Sequence, residues 1–178
     1  MKSLAVFCGS RPGNNPKFLT GAKILGEEIV KRNITLVYGG SSVGLMGEVA
    51  NTVLQGKGKV IGVMPQKLAD REIAHQNLSE LHIVKSMHER KNLMAELSHG
   101  FITLPGGFGT MDEICEMITW NVLNIHAKPC GFLNLEGFFD PFFNFIRGAV
   151  SENFISSECQ SSLLIETDAA KLIEKIIT

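Results

Sequence analysis

Nowhere in the 178 residues do about 18 uncharged apolar residues run together, so the sequence offers no membrane-spanning helix. Residues 1–8 carry one lysine, no long apolar core and no small-residue cleavage site, and no export signal is expected. A charge excess of one sign is missing too. With 17 basic against 18 acidic residues, the net charge of -1 gives no reason to expect a nucleic-acid backbone or an anionic membrane as partner. The four cysteines, Cys8, Cys115, Cys130 and Cys159, form no CxxC pair, and Cys8 and Cys130 lie in or beside apolar runs. That pattern fits reduced core thiols in a cytoplasmic protein. Repeats, low-complexity tracts and linkers are also absent. A chain of this length with 44% hydrophobic residues suits one domain over 1–178, able to bury roughly 70% of its unfolded surface.

Several nucleotide and metal signatures are missing as well. Gly56 and Gly58 are followed by Ile61 where a GxGxxG fingerprint needs its third glycine, and Tyr38-Gly39 stands where a ribose-binding acid belongs. No glycine loop runs into Gly-Lys-Ser/Thr, which excludes a P-loop. His88-Glu89 would need a histidine at 92, which is Asn92, and His75, His82, His99 and His126 show no ligand spacing, so no metal is expected. A pyridoxal phosphate enzyme needs one lysine set beside suitable partners, and no lysine is singled out by the residues themselves.

What is present centres on residues 101–113. An apolar run over 101–104 reads as a buried strand, Pro105, Gly106, Gly107 and Gly109 force a turn, and Ile114, Met117, Ile118 and Trp120 follow at helical spacing. Thr110 sits where an N-cap belongs, with Glu113 three residues on as in a capping box. The free N-H groups of such a helix start suit a phosphate or carboxylate, and the glycines permit its close approach. Spacing leaves Glu113 with two readings, a completed capping box or a reactive carboxylate beside bound phosphate.

The same strand, glycine loop, helix pattern occurs earlier. A strand over 4–7 meets turn residues 9–16, then a helix with Phe18, Ala22, Leu25 and Ile29 on one face that Asn33 ends. A strand over 35–38 meets residues 39–44 and a second helix through Met46, Val49, Val53 and Leu54. Strands over 60–64, 81–84, 130–133 and 163–165 are also expected. So are helices over 87–98, from Asp140-Pro141 as N-cap and N1, and from Asp168 to Ile177, with 65–77 irregular or briefly helical. This alternation predicts an α/β fold, a Rossmann-like open parallel sheet with helices on both faces and all three glycine loops on one edge. Arg90 shares a helix face with Met94 and Leu97, so it either points inward or snorkels, while Lys91 lies one step round. The phenylalanines between 138 and 145 read as core or subunit interface, with base stacking as the alternative.

Pro105-Gly106-Gly107-x-Gly109-Thr110-x-x-Glu113 resembles the signature of the lonely guy family, the cytokinin riboside 5'-monophosphate phosphoribohydrolases, often mislabelled lysine decarboxylases. Val6-Phe7-Cys8-Gly9-Ser10, Tyr38-Gly39-Gly40, Gly44-Leu45-Met46-Gly47, Met64-Pro65, Met87-His88-Glu89-Arg90-Lys91, Ile118-Thr119-Trp120 and Lys128-Pro129 resemble further landmarks in order, covering about residues 4–145. The resemblance implies hydrolysis of a nucleoside 5'-monophosphate to free base and ribose 5-phosphate, without a cofactor. It implies Arg90 and Glu113 as catalytic residues. Substrate contacts would come from Glu72, Arg90, Lys91, Gly106, Gly107, Phe108, Gly109, Thr110, Met111, Asp112 and Thr119. A homodimer or higher homo-oligomer with sites near the interface is implied as well. Two residues depart from the family pattern at the expected pocket edge: Ser41, in place of a third glycine, and Arg11, in place of a small residue. Relatives of the same fold carry a molybdenum cofactor, so a non-catalytic carrier is the competing reading; it would have no need of both Arg90 and Glu113.

Overall fold

The computed structural model describes residues 2–69 and 74–178. Strands β1 (Ser3–Phe7), β2 (Thr35–Tyr38), β3 (Val60–Pro65), β4 (Glu80–Val84), β5 (Gly100–Thr103), β6 (Cys130–Leu133) and β7 (Leu164–Glu166) form one sheet in the order β4-β3-β2-β1-β5-β6-β7. Every neighbouring pair is parallel. Parallel neighbours require crossovers, and the chain supplies them as helices α1 (Pro16–Lys31), α2 (Gly44–Gln55), α3 (Gln66–Ala69), α4 (Met87–Glu96), α5 (Phe108–Val122), α6 (Asp140–Ser151), α7 (Ser157–Ser162) and α8 (Ala169–Ile177).

The pleat divides the core in two. Leu4, Val6 and Cys8 of β1 and its extension pack with α1, α2 and α8 on one face, whereas Ala5 and Phe7 pack with Met94, Ile114 and Phe143 on the other. Strands buried on both faces read as continuous apolar runs, which is why those at the sheet centre are legible in sequence. At the edge, β4 leaves Leu81 and Ile83 partly exposed.

The expected open parallel sheet with helices on both faces is therefore present, with differences at several element ends. Asp140 does not cap α6. The cap position is Phe139, and Asp140 instead accepts a hydrogen bond from Asn134 Nδ2 at 2.7 Å, fixing the turn after β6. Asp168 does cap α8, accepting from the Lys171 amide at 2.9 Å. Helix α7 and a short 3-10 turn over Leu135–Gly137 were not anticipated; α7 has no buried residue and so leaves no apolar stripe in the sequence. Among the described residues no helix is long and apolar enough to cross a membrane. All four cysteines are free.

Candidate active site

The order of strands reverses at β1, which pairs with β2 on one side and β5 on the other, and a crevice opens beyond the carboxyl ends of such strands. A cavity of about 520 Å3 lies there, lined by the loop after β1, the loop after β5 and the first turns of α2 and α5. Three close backbone approaches bring the loops together. The Gly9 amide donates to Pro105 O at 3.0 Å, and the Leu45 amide donates to Gly9 O at 3.0 Å. Gly44 has φ +65, and a Cβ there would fall 2.3 Å from the Ser10 carbonyl carbon, so both conformation and space require glycine.

Helix α5 begins one turn earlier than its sequence suggests. Gly107 is the cap position, with extended backbone and no side-chain cap, and the Met111 amide is the first to bond back, to Gly107 O at 3.1 Å. Thr110 is therefore inside the helix rather than its N-cap, and Glu113 completes no capping box. The glycines on either side of Phe108 concealed the true start. Thr110 folds back over Gly106, where a Cβ would lie 2.0 Å from its hydroxyl oxygen. Gly107 and Gly109 have no atom within 4 Å of the Cβ they lack, so this amide-rich turn is open to an incoming anion.

Glu113, one turn further along α5, is buried in the cavity wall and forms an ion pair with Arg90 of α4, 2.8 Å from Nη1 to Oε1. Arg90 does not snorkel. Its Nε donates to Val63 O at 3.0 Å, and its guanidinium sits where a Cβ of Gly39 would be, 2.0 Å from Nη2. Burial pushes the Glu113 carboxyl above the usual carboxylate range, against the opposing pull of Arg90. The Cys8 thiol at the cavity floor is raised as well, first by burial and then by the neighbouring Glu113 charge.

Gly106, Gly107, Phe108, Gly109 and Thr110 line this cavity together with Arg90 and Glu113. Lys91, Met111, Asp112 and Thr119 do not. Lys91 is buried but turned away, paired with Asp112 at 3.1 Å and Glu116 at 3.0 Å. Burial alone would lower its pKa; the two carboxylates outweigh that and hold it above the usual lysine value. Thr119 is exposed and its hydroxyl donates back to Cys115 O at 2.7 Å. Glu72 lies outside the described residues. Ser41 is buried off the cavity, bridged to Ala74, whereas Arg11 is on the cavity wall. Phe18 and Phe138, edge to face with ring centroids 5.6 Å apart, also line the cavity; the sequence placed Phe18 only on an apolar helix face and gave Phe138 a base-stacking role only as the alternative to core or interface. The aromatic run held the signal for Phe138. Phe139 and Phe143 are core, and Phe145 is exposed.

A family profile described as "Possible lysine decarboxylase" matches residues 46–176. Over 173 residues the chain is 47% identical to the probable cytokinin riboside 5'-monophosphate phosphoribohydrolase LOGL1 of Oryza sativa subsp. japonica, covering 97% of this chain and 78% of the relative. It is 46% identical over 175 residues to cytokinin riboside 5'-monophosphate phosphoribohydrolase LOG1 of Arabidopsis thaliana, with coverages of 98% and 82%. The chain belongs to the lonely guy family. Lonely guy proteins are enzymes, and the decarboxylase description does not suit this cavity: no lysine lines it, and Lys91 is held on the far side of α4 by two carboxylates. A pyridoxal phosphate Schiff base therefore has no partner among the lining residues. Among solved structures, the molybdenum cofactor binding protein from Rippkaea orientalis is similar at a TM-score of 0.73 and 21% identity, covering 100% of this chain and 99% of its own. The molybdenum cofactor carrier protein of Chlamydomonas reinhardtii is similar at 0.73 and 20%, with coverages of 99% and 96%. These likenesses extend to the fold.

Proposed function

We propose that the protein hydrolyses the N-glycosidic bond of a nucleoside 5'-monophosphate bearing adenine or an N6-modified adenine such as isopentenyladenine, releasing free base and ribose 5-phosphate. The observation that carries this reading is the buried Arg90–Glu113 pair at 2.8 Å, one turn inside an uncapped, glycine-rich helix start. A phosphate on the open turn over 106–110 sets the ribose near the first turns of α5, within reach of that pair. The bond from C1' to the base nitrogen breaks with its electron pair going to the base, which takes up a proton from solvent, matched by the proton that Glu113 later returns to solvent. Water adds to the resulting oxocarbenium carbon, and its proton passes to Glu113, whose negative charge also stabilises the cation. Arg90 holds Glu113 in place and, as its partner, favours the ionised form that this step needs. The names of the related phosphoribohydrolases support the substrate class.

The protein acts as a homodimer in this reading. Phe108, Val122, Leu123 and Ile125, all strongly exposed, are spread over the start of α5, its C-terminal turn and the residues just beyond. Such apolar groups suit coverage by a second copy, which would bring Lys91, Asp112 and Thr119 toward a shared site. A cytoplasmic setting fits four free thiols.

Chromatography of purified protein incubated with AMP, isopentenyl-AMP and the two unphosphorylated ribosides tests the reaction. Free base from a monophosphate but not from its riboside is the expected result, and the ratio between the two bases sets the preferred substrate. Absence of base from every monophosphate would overturn the reading.

A further inference from the structure

Among the described residues three charged side chains line the cavity, Arg11, Arg90 and Glu113, and they are not equivalent. Arg90 is committed to Glu113 and to Val63 O, so that pair adds almost no net charge to the site. Lys91, the next cation along α4, is outside the cavity and neutralised by Asp112 and Glu116. Arg11 is different: no hydrogen bond or ion pair joins it to any described residue. Among the described residues the cavity thus holds one uncompensated positive charge. A substrate phosphate brings about 1.5 to 2 negative charges, more than a helix terminus equivalent to roughly half a charge can balance.

The backbone of Arg11 is fixed against the turn that faces the anion. Gly9, two residues before it, donates to Pro105 O at 3.0 Å, and the Cβ that Gly9 lacks would lie 3.4 Å from Gly106 Cα and 3.1 Å from Arg11 O. From the other side, the Cβ that Gly44 lacks would lie 2.5 Å from Arg11 N. Glycines therefore let three loops close on one another here, and the long arginine side chain starts from an anchored point beside the 106–110 turn. A guanidinium fork matches the oxygens of a phosphate, and its exposure leaves it free to swing onto one.

We propose that Arg11 is the side-chain ligand of the substrate's 5'-phosphate, completing with a mobile charge the site that the 106–110 backbone begins. The identity of the anion rests on the phosphoribohydrolase reading above; the presence of an anion ligand at Arg11 does not. Arg11 is thereby a residue that selects monophosphates over ribosides.

Ribose 5-phosphate has no glycosidic bond left to break, so its binding can be measured apart from turnover. Calorimetric titration of ribose 5-phosphate and of inorganic phosphate into wild type, Arg11→Gln and Arg11→Lys is the test, with adenosine as the phosphate-free companion. Arg11→Gln should weaken both anions about tenfold, Arg11→Lys should fall between it and wild type, and salt should weaken binding less steeply in the Gln variant. Adenosine binding should not follow. In turnover the loss should appear in KM for the monophosphate rather than in kcat. Equal anion affinity in wild type and Arg11→Gln would overturn the proposal, as would an equal loss for adenosine or no anion binding by wild type. Should Arg11 govern ribose 5-phosphate binding in a protein that releases no base from any monophosphate, the anion ligand stands and the hydrolase reading falls. Base release with anion binding indifferent to Arg11 is the reverse.

Discussion

Among the described residues three ion pairs join helices α4 and α5, and the two built from consecutive residues on each helix face different ways. Arg90 meets Glu113 in the cavity, with side chains 9% and 8% exposed; Lys91 meets Asp112 on the outer side, where the acid is 59% exposed. A step of one residue rotates a side chain by about 100° round a helix, so neighbours in sequence end in different surroundings. The inner pair has lost its water and keeps a carboxyl of raised pKa beside a fixed cation. The outer pair keeps water within reach, and its lysine is held by a second carboxylate, Glu116. Proximity in sequence to a residue of the cavity is thus a poor guide to the surroundings of its neighbour.

The largest effect that would separate the two pairs is on turnover. Glu113→Gln should lower kcat by about a hundredfold to ten-thousandfold, or roughly 3 to 5.5 kcal/mol of barrier. In wild type, kcat should rise with pH along a limb whose midpoint lies above 4.5, because burial raises the Glu113 pKa and the ionised form is the active one. The limb should vanish in the Gln variant, and near-normal activity there would remove Glu113 from the mechanism. Stability distinguishes the pairs next. Arg90→Met leaves a buried carboxylate without its cation and should cost about 3 to 5 kcal/mol in denaturant unfolding, while the double variant Arg90→Met, Glu113→Leu should recover most of it. A double variant as unstable as the single one would mean that Arg90 acts through packing on Gly39 instead. Smallest of all, Asp112→Asn should change stability by less than about 1 kcal/mol, since Glu116 still holds Lys91. A loss as large as that of Arg90→Met would show the outer pair to be structurally equal to the inner one.

The sheet and its edge were legible because central parallel strands carry unbroken apolar runs and each of the three loops is rich in glycine. Burial of Arg90 was legible only as one of two alternatives: spacing put it on an apolar face, but the Val63 carbonyl and the space above Gly39 that receive it come from β3 and the end of β2. The α5 start was misplaced because a glycine cap has no side chain to announce it, whereas Thr110 has the chemistry of a cap without the position. Lys91 and Thr119 lie outside the cavity, and a motif that spans a helix does not show which of its residues turn toward the cavity and which turn away. Phe18 was visible as part of an amphipathic stripe, and its contact with Phe138 depends on a turn more than a hundred positions away.

The pairing of β1 also bears on how the chain comes to exist. One side of β1 can be satisfied by β2, whose first residue is Thr35, but its other side waits for β5, whose first residue is Gly100. Until then a central strand presents an open edge of unpaired amides and carbonyls, the condition under which nascent chains stick to one another. Closing that edge is the same event that brings Pro105 and Gly106 against Gly9, so the wall of the cavity and the protection of the sheet's middle are completed together.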